Sequence, residues 1–387
     1  MERGINTRCL HLEENEGKTD NYGAISYPIY QTATYAHKGV GESTGFDYSR
    51  LQNPTREQLE KVVASLEYGV DALAMSTGMA AVTLTMELFK PGDHLIVEAD
   101  LYGGSIRLFD NVSEKNGIQF SHVSCSTEDV EVYVKENTKA IFIETPTNPM
   151  MNVSDIKKLA DIAKKHGLLL IVDNTFLTPY FQNPLTLGAD IVIHSGTKFL
   201  GGHNDTLAGF IVTNREDISE KLRFLIKTTG ASLAPFDSWL IHRGIKTLGI
   251  RMEKAQKNAL VLANWLKEQN IVTKVIYPGL KDHPGHEIIK KQASGFGAMI
   301  TFNLDTKEHA LALLNKVKMI KFAESLGGVE TLITYPTTQT HADVPEDVRI
   351  KNGITDCTLR LSVGIEDVED LIYELTEVFG EINGQNS

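Results

Sequence analysis

The chain has 387 residues, 42% of them apolar and 23% charged, with a net charge of −12. That balance belongs to a globular protein long enough for two domains with sizeable cores, and the acidic excess argues against a nucleic-acid surface. No stretch reads as a membrane span or a signal peptide, and Cys9, Cys125 and Cys357 contain no C-x-x-C pair, so a cytoplasmic protein without a disulfide framework or thiolate metal site is expected.

Residues 1–60 read as an irregular arm in which aromatics and turn formers alternate without a lasting period, too apolar for a disordered tail and suited to packing on a neighbouring subunit. From 61 to 250, short apolar runs alternate with helical ones. The expected strands are Asp71–Met75, His94–Val97, Ala140–Ile143, Leu168–Val172 and Ile191–Ile193. A helix over Asp155–Lys165 places Ile156, Leu159, Ile162 and Ala163 on one face. This alternation predicts an α/β domain, a mostly parallel sheet with helices on both faces and a ligand beyond the strands' carboxyl ends. After 250 the texture changes. A helix near Lys254–Leu266, strands at Val272–Tyr277, Phe296–Phe302 and Leu359–Val363, a helix near His309–Lys316 and a closing helix (Leu371, Leu375, Val378, Phe379 on one stripe) predict a smaller C-terminal α+β domain, 251–387.

The groups at the expected strand ends suit one ligand. Gly78 and Met79 follow the first strand and open a helical run, where backbone N–H groups can cradle a phosphate; an ordinary helix start reads the same way. Tyr102, before Gly103-Gly104, can lay its ring on a planar cofactor. Asn148, between two prolines in Glu144-Thr-Pro-Thr-Asn-Pro149, can bond a ring oxygen or merely stabilise a turn. Asp173 can face a pyridine nitrogen or cap a helix. In His194-Ser-Gly-Thr-Lys198, Ser195 and Thr197 offer hydroxyls and Lys198 an amine that condenses with an aldehyde. Together they point to pyridoxal 5'-phosphate (PLP). In the arm, Tyr48 and Arg50 are two residues apart and would point the same way in extended backbone, so they could complete a neighbour's phosphate site. Arg360 lies in an apolar strand and needs an anion, either a substrate carboxylate or a salt-bridge partner. His194, His203 and His341 lack ligand-spaced partners, so no metal is expected.

With these motifs the chain resembles the PLP enzymes of cysteine and methionine metabolism, which share the aspartate aminotransferase-like fold (fold type I). The likeness runs from Thr44-Gly-Phe-Asp-Tyr-Ser-Arg50 to Leu359-Arg-Leu-Ser-Val-Gly-Ile-Glu-Asp367. The resemblance implies Lys198 and Tyr102 as catalytic groups and Asp173 on the pyridine nitrogen. It implies Gly78, Met79, Ser195 and Thr197 on the phosphate, with Tyr48 and Arg50 from an adjacent subunit. Asn148, Glu324, Ser325 and Arg360 would bind substrate, with Arg107 behind Tyr102. A homotetramer of two dimers, acting on small amino acids away from membranes and nucleic acid, is the family habit.

Within the family, Gly103-Gly104 replaces the cysteine typical of methionine γ-lyases. Glu324-Ser325 is similar to cystathionine γ-synthases and γ-lyases. Phe322–Pro336, Gln339–Asp343, Gly41–Asp47 and Pro235–Leu240 are most similar to cystathionine γ-synthase/O-acetylhomoserine thiolyase enzymes. The resemblance therefore implies γ-replacement on O-acylhomoserine by cysteine or sulfide. Elimination from cystathionine by a γ- or β-lyase is the alternative. An aminotransferase of the same fold would need a second amino acceptor and is disfavoured by these motifs, and a non-catalytic PLP-binding scaffold fits less well because Lys198, Asp173 and Arg360 are all present.

Overall fold

The computed structural model describes residues 3–12 and 22–384. Parts of the expected arm (1–2 and 13–21) and the last three residues of the expected C-terminal domain lie outside them.

Seven strands form the larger sheet: β1 (Asp71–Met75), β2 (His94–Glu98), β3 (Gln119–Val123), β4 (Thr138–Glu144), β5 (Leu169–Asp173), β6 (Ile191–Ser195) and β7 (Gly209–Thr213). Their order is β1-β7-β6-β5-β4-β2-β3. All neighbours run parallel except β7, which is antiparallel to both β1 and β6. The five strands expected from sequence are present, and the sheet is mostly parallel as expected. β3 and β7 are additions, and β7 brings the chain back between β1 and β6 without altering their shared direction.

Side chains alternate across a strand, so each strand feeds two cores. Ala72, Ala74, Ile141, Ile143, Val172 and Val192 pack on one face. Leu73, Met75, Ala140, Phe142, Ile171, Ile191 and Ile193 pack on the other. Burial on both sides is why these strands read as near-continuous apolar runs. The same period decides the site. Glu144, Asp173 and Ser195 fall in phase with Phe142, Ile171 and Ile193, on the face covered by helix Gly78–Met86.

The arm is more regular than expected. It contains helix Ile5–Leu10, which buries Cys9, and the start of helix Pro54–Glu67. Asn53 caps that helix by accepting the N–H groups of Thr55 and Arg56, and Pro54 occupies the first helical position, where its missing N–H costs nothing.

Helix Leu248–Lys267 is continuous, so the expected division at 250/251 falls inside it. Beyond it lie β8 (Val272–Ile276), β9 (Met299–Leu304), β10 (Lys321–Phe322), β11 (Leu332–Thr334) and β12 (Thr358–Ser362). Their order is β10-β11-β12-β9-β8, antiparallel except for β10 with β11. Thr334, Arg360 and Thr301 lie in register across β11, β12 and β9. No described helix is long and apolar enough to cross a membrane.

Candidate active site

The ends of β4, β5 and β6 are level, with Glu144 beside Asp173 and Asp173 beside Ile193 in the register. Beyond them lies a cavity of about 320 Å³. It is lined by Gly78, Met79, Tyr102, Asn148, Asp173, Ser195, Thr197, Lys198, Glu324, Ser325 and Arg360. The structure thus brings together every expected site residue except Tyr48 and Arg50. Those two sit outside the cavity, and their expected extended backbone is not found. The chain turns there, with the N–H groups of Leu51 and Gln52 on the Tyr48 carbonyl. The side chains are still neighbours, the Arg50 guanidinium lying 5.6 Å from the Tyr48 ring centroid. Arg107 also stands outside the cavity and pairs with Asp343 at the surface.

Lys198 Nζ donates to Ser325 Oγ at 2.9 Å. Burial, reinforced by the Arg360 charge and opposed by Glu324, pulls its pKa down to about 8. A desolvated lysine amine of this kind is a nucleophile near neutral pH. Ser325 has a left-handed φ of 89°, uncommon for a side-chain-bearing residue. With that backbone its hydroxyl meets Lys198 while its carbonyl accepts from Arg360 Nη2 at 2.9 Å.

Arg360 is 1% exposed. Its remaining bonds go to Asn148 Oδ1 (2.7 Å, from Nη1) and Thr334 Oγ1 (3.1 Å, from Nη2), while Nε has no partner. Among the described residues no carboxylate lies within ion-pair distance of it, which removes the salt-bridge reading. Burial lowers its pKa to about 10, against the pull of Glu144, Tyr102 and Glu324. A buried cation held by neutral acceptors, with an N–H to spare, is arranged to receive an anion.

Asp173 Oδ1 accepts from Thr175 N (3.0 Å) and Thr175 Oγ1 (2.6 Å), while the short helix that follows starts after Leu177. It therefore makes a local turn and caps no helix. Burial raises its pKa, and the Thr175 bonds oppose the rise. Glu144 accepts the Tyr102 N–H at 2.9 Å, fixing the start of the turn that carries the ring. Burial first, then the neighbouring Asp173, raise the Glu144 pKa well above the usual carboxylate range.

At the other end, Thr77 Oγ1 takes the Ala80 N–H, so the free N–H groups at the start of helix Gly78–Met86 are those of Gly78 and Met79. A Cβ on Gly78 would lie 2.9 Å from Ser195 Oγ, so glycine is what lets these donors and that hydroxyl converge. The Thr197 hydroxyl is engaged by the Ala208 backbone, from N at 3.0 Å and to O at 3.3 Å.

An anion cradle, a ring, a carboxylate and a nucleophilic amine surround one cavity of suitable size, so these residues fit PLP. Sequence reasoning passed over Thr175, whose hydroxyl also accepts the Ser195 N–H at 2.9 Å and so ties β5 to β6. It also passed over Thr340, Phe176 and Leu207 in the lining. Asp173-Asn-Thr175 carried a signal, a turn-forming Asp two residues before a hydroxyl; Thr340 reaches the cavity only through the tertiary fold. A larger groove of about 740 Å³ includes Arg223, already paired with Glu60 and Asp71.

A family model described as Cys/Met metabolism PLP-dependent enzyme matches residues 6–380. The chain is 51% identical to a cystathionine gamma-synthase/O-acetylhomoserine (thiol)-lyase of Bacillus subtilis, over 99% of this chain and 98% of that one. It is 50% identical to a cystathionine gamma-lyase of the same organism, over 93% and 95%. Among solved structures, a cystathionine gamma-lyase from Lactobacillus plantarum complexed with L-serine superposes with a TM-score of 0.95 at 42% identity, covering 98% of this chain and 100% of that one.

Proposed function

The chain belongs to the Cys/Met metabolism PLP-dependent enzymes, with PLP as its cofactor, and we propose that its reaction is γ-replacement on O-acylhomoserine. Cysteine would give cystathionine, and sulfide would give homocysteine. The observation that carries an amino-acid substrate is Arg360, a buried guanidinium without an acid partner, one serine away from Lys198.

Bound in the cavity, the cofactor supplies an electron sink that makes the proton on the amino-bearing carbon acidic. Lys198 Nζ would take that proton, hand it on within the cavity and only then take one from Cβ, with protons returned to both carbons once the sulfur has added; its lowered pKa keeps a useful fraction uncharged. Arg360, steadied by Asn148, Thr334 and the Ser325 carbonyl, holds the α-carboxylate. Asp173 holds the pyridine nitrogen, Tyr102 covers the ring, and Gly78, Met79, Ser195 and Thr197 take the phosphate. The acyloxy group leaves Cγ as a carboxylate and the thiol sulfur takes its place. Tyr48 and Arg50, outside their own cavity, would complete that of a second copy in a cytoplasmic tetramer of two dimers.

The turn after Tyr102 supports a replacement enzyme over a methionine γ-lyase. A Cβ on Gly104 would lie 2.5 Å from the Tyr102 ring, so the turn carries no side chain there. Elimination from cystathionine is the second reading, favoured by the 50% identity to the Bacillus γ-lyase. Product analysis decides between them. Purified enzyme is given O-acetylhomoserine plus cysteine, and separately cystathionine. Cystathionine from the first mixture at a higher kcat/KM than oxoacid release from the second supports replacement; the reverse order overturns it.

A further inference from the structure

We propose that Arg251 is a positioning residue for Lys198: its guanidinium closes the carbonyl end of the turn on which the lysine is mounted. The inference rests on Lys198 being the amine that holds the cofactor.

After β6 the chain coils tightly. The N–H groups of Lys198, Gly201 and Gly202 reach the carbonyls of Ser195, Gly196 and Lys198, at 3.2, 2.9 and 2.8 Å. Such a turn leaves its last carbonyls without backbone donors. Those of Phe199 and Leu200 point to Arg251, with Nη1 at 2.7 Å from the first and Nη2 at 3.4 Å from the second. Nη2 also donates to the Gly244 carbonyl near the end of helix Pro235–Ile245, at 2.8 Å, and Nε to Thr247 Oγ1 at 3.1 Å.

Arg251 is buried, and among the described residues no carboxylate pairs with it. Its charge is therefore offset by carbonyl dipoles at two chain ends, the site a cation favours. Packing makes the arrangement tight. A Cβ on Gly202, at φ 75°, would fall 2.1 Å from Arg251 Nη1, and one on Gly244 would fall 2.2 Å from the Gly201 carbonyl. On the other side, a Cβ on Gly327 would sit 2.5 Å from Phe199 N. The lysine's backbone is thus gripped from two directions, by the guanidinium and by the Ser325–Gly327 segment, whose first hydroxyl meets Nζ.

Without Arg251 the Phe199 and Leu200 carbonyls are left buried and unpaired, so the turn rearranges to recover partners. A displacement of the amine by about 1 Å is enough to cost on the order of 100-fold in rate. Arg251 does not touch substrate, and its effect is read on the amine.

The test compares the holoenzyme with Arg251→Met and Arg251→Lys. Borohydride trapping and peptide mapping first establish which lysine carries the cofactor; an adduct elsewhere in the parent would sink the Lys198 assignment itself. With Lys198 trapped in all three, Arg251→Met should lower kcat by about 10- to 100-fold with KM nearly constant. It should also shift the pH midpoint of the cofactor's absorbance. Arg251→Lys should recover part of both, because one ammonium cannot span the Phe199 and Gly244 carbonyls. Parental kcat and an unmoved midpoint in Arg251→Met, with only a lower melting temperature, would reduce Arg251 to packing and overturn the proposal. If Arg251→Met does not fold, parental values in Arg251→Lys overturn it equally.

Discussion

Replacing Arg360 by Met tests the carboxylate site with a built-in control. A guanidinium has five N–H groups. Asn148 Oδ1, the Ser325 carbonyl and Thr334 Oγ1 occupy three, leaving two for a ligand. A hydrogen bond to a charged group contributes roughly 1.5–3 kcal/mol, so two to a buried carboxylate amount to about 3–6 kcal/mol. At about 1.4 kcal/mol per tenfold, the parent should prefer an amino acid over its decarboxylated amine by roughly 10²- to 10⁴-fold. The substitution also strands three acceptors, but that cost falls on both ligands and cancels in their ratio. Binding is followed as the change each ligand makes in the cofactor's absorbance, and the two dissociation constants are compared in both proteins. Arg360→Met should bring the ratio to within about tenfold of unity. A ratio unchanged by the substitution would mean that the carboxylate binds elsewhere, and the reading of Arg360 would fall.

In cofactor-free protein, acylation of Lys198 should rise with a midpoint near pH 8; mapped labelling that places the Lys198 midpoint at the ordinary lysine value of about 10.4 would refute the lowered pKa. Glu98, buried next to Asp100, has its pKa raised from 4.5 to about 7, chiefly by burial. The folded protein thus keeps a proton that the unfolded chain has lost, and this contribution to stability falls as pH rises from about 4.5 through 7. Glu98→Gln removes that fall, so urea unfolding should show the variant gaining about 3 kcal/mol on the parent between pH 4.5 and 8, and parallel profiles would refute it. A Cβ at Gly103 would lie 2.1 Å from the Thr340 carbonyl, so Gly103→Ala should lower stability by about 1–3 kcal/mol through overpacking; an unchanged melting temperature would show that the backbone at Thr340 yields freely.

How far the site could be read from sequence depends on distance along the chain. Gly78, Tyr102, Asn148, Asp173 and Lys198 each follow a short apolar run, and a parallel sheet delivers whatever follows its strands to one edge. β7 escaped notice because periodicity carries no direction, and its reversal between β1 and β6 depends on pairing alone. β3 is an edge strand with one fully buried residue, so its alternation is weak. Glu324 and Ser325 follow a two-residue strand, too short to show a period, and came only from likeness to a family. Asn148 shows the limit most sharply. Its local sequence suggests a ligand contact or a turn, yet its oxygen holds an arginine 212 residues away.

The same distances explain the charge pattern. Acidic Glu144 and Asp173 end adjacent strands of the larger sheet and stand alongside each other, each pushed toward its neutral form. Basic Arg360 comes from the smaller sheet and Lys198 from the turn after β6. They meet through Ser325, and the lysine is pushed toward neutrality in turn. Had Arg360 closed on Glu144 or Glu324, the cavity would be electrostatically satisfied and of little use to a charged ligand. The neutral acceptors around Arg360, and the unusual backbone at Ser325 that supplies one of them, keep the two sets apart. A ligand that brings an anion to Arg360 and a cationic ring nitrogen to Asp173 restores the balance both sets lack, and an amino acid joined to PLP has both.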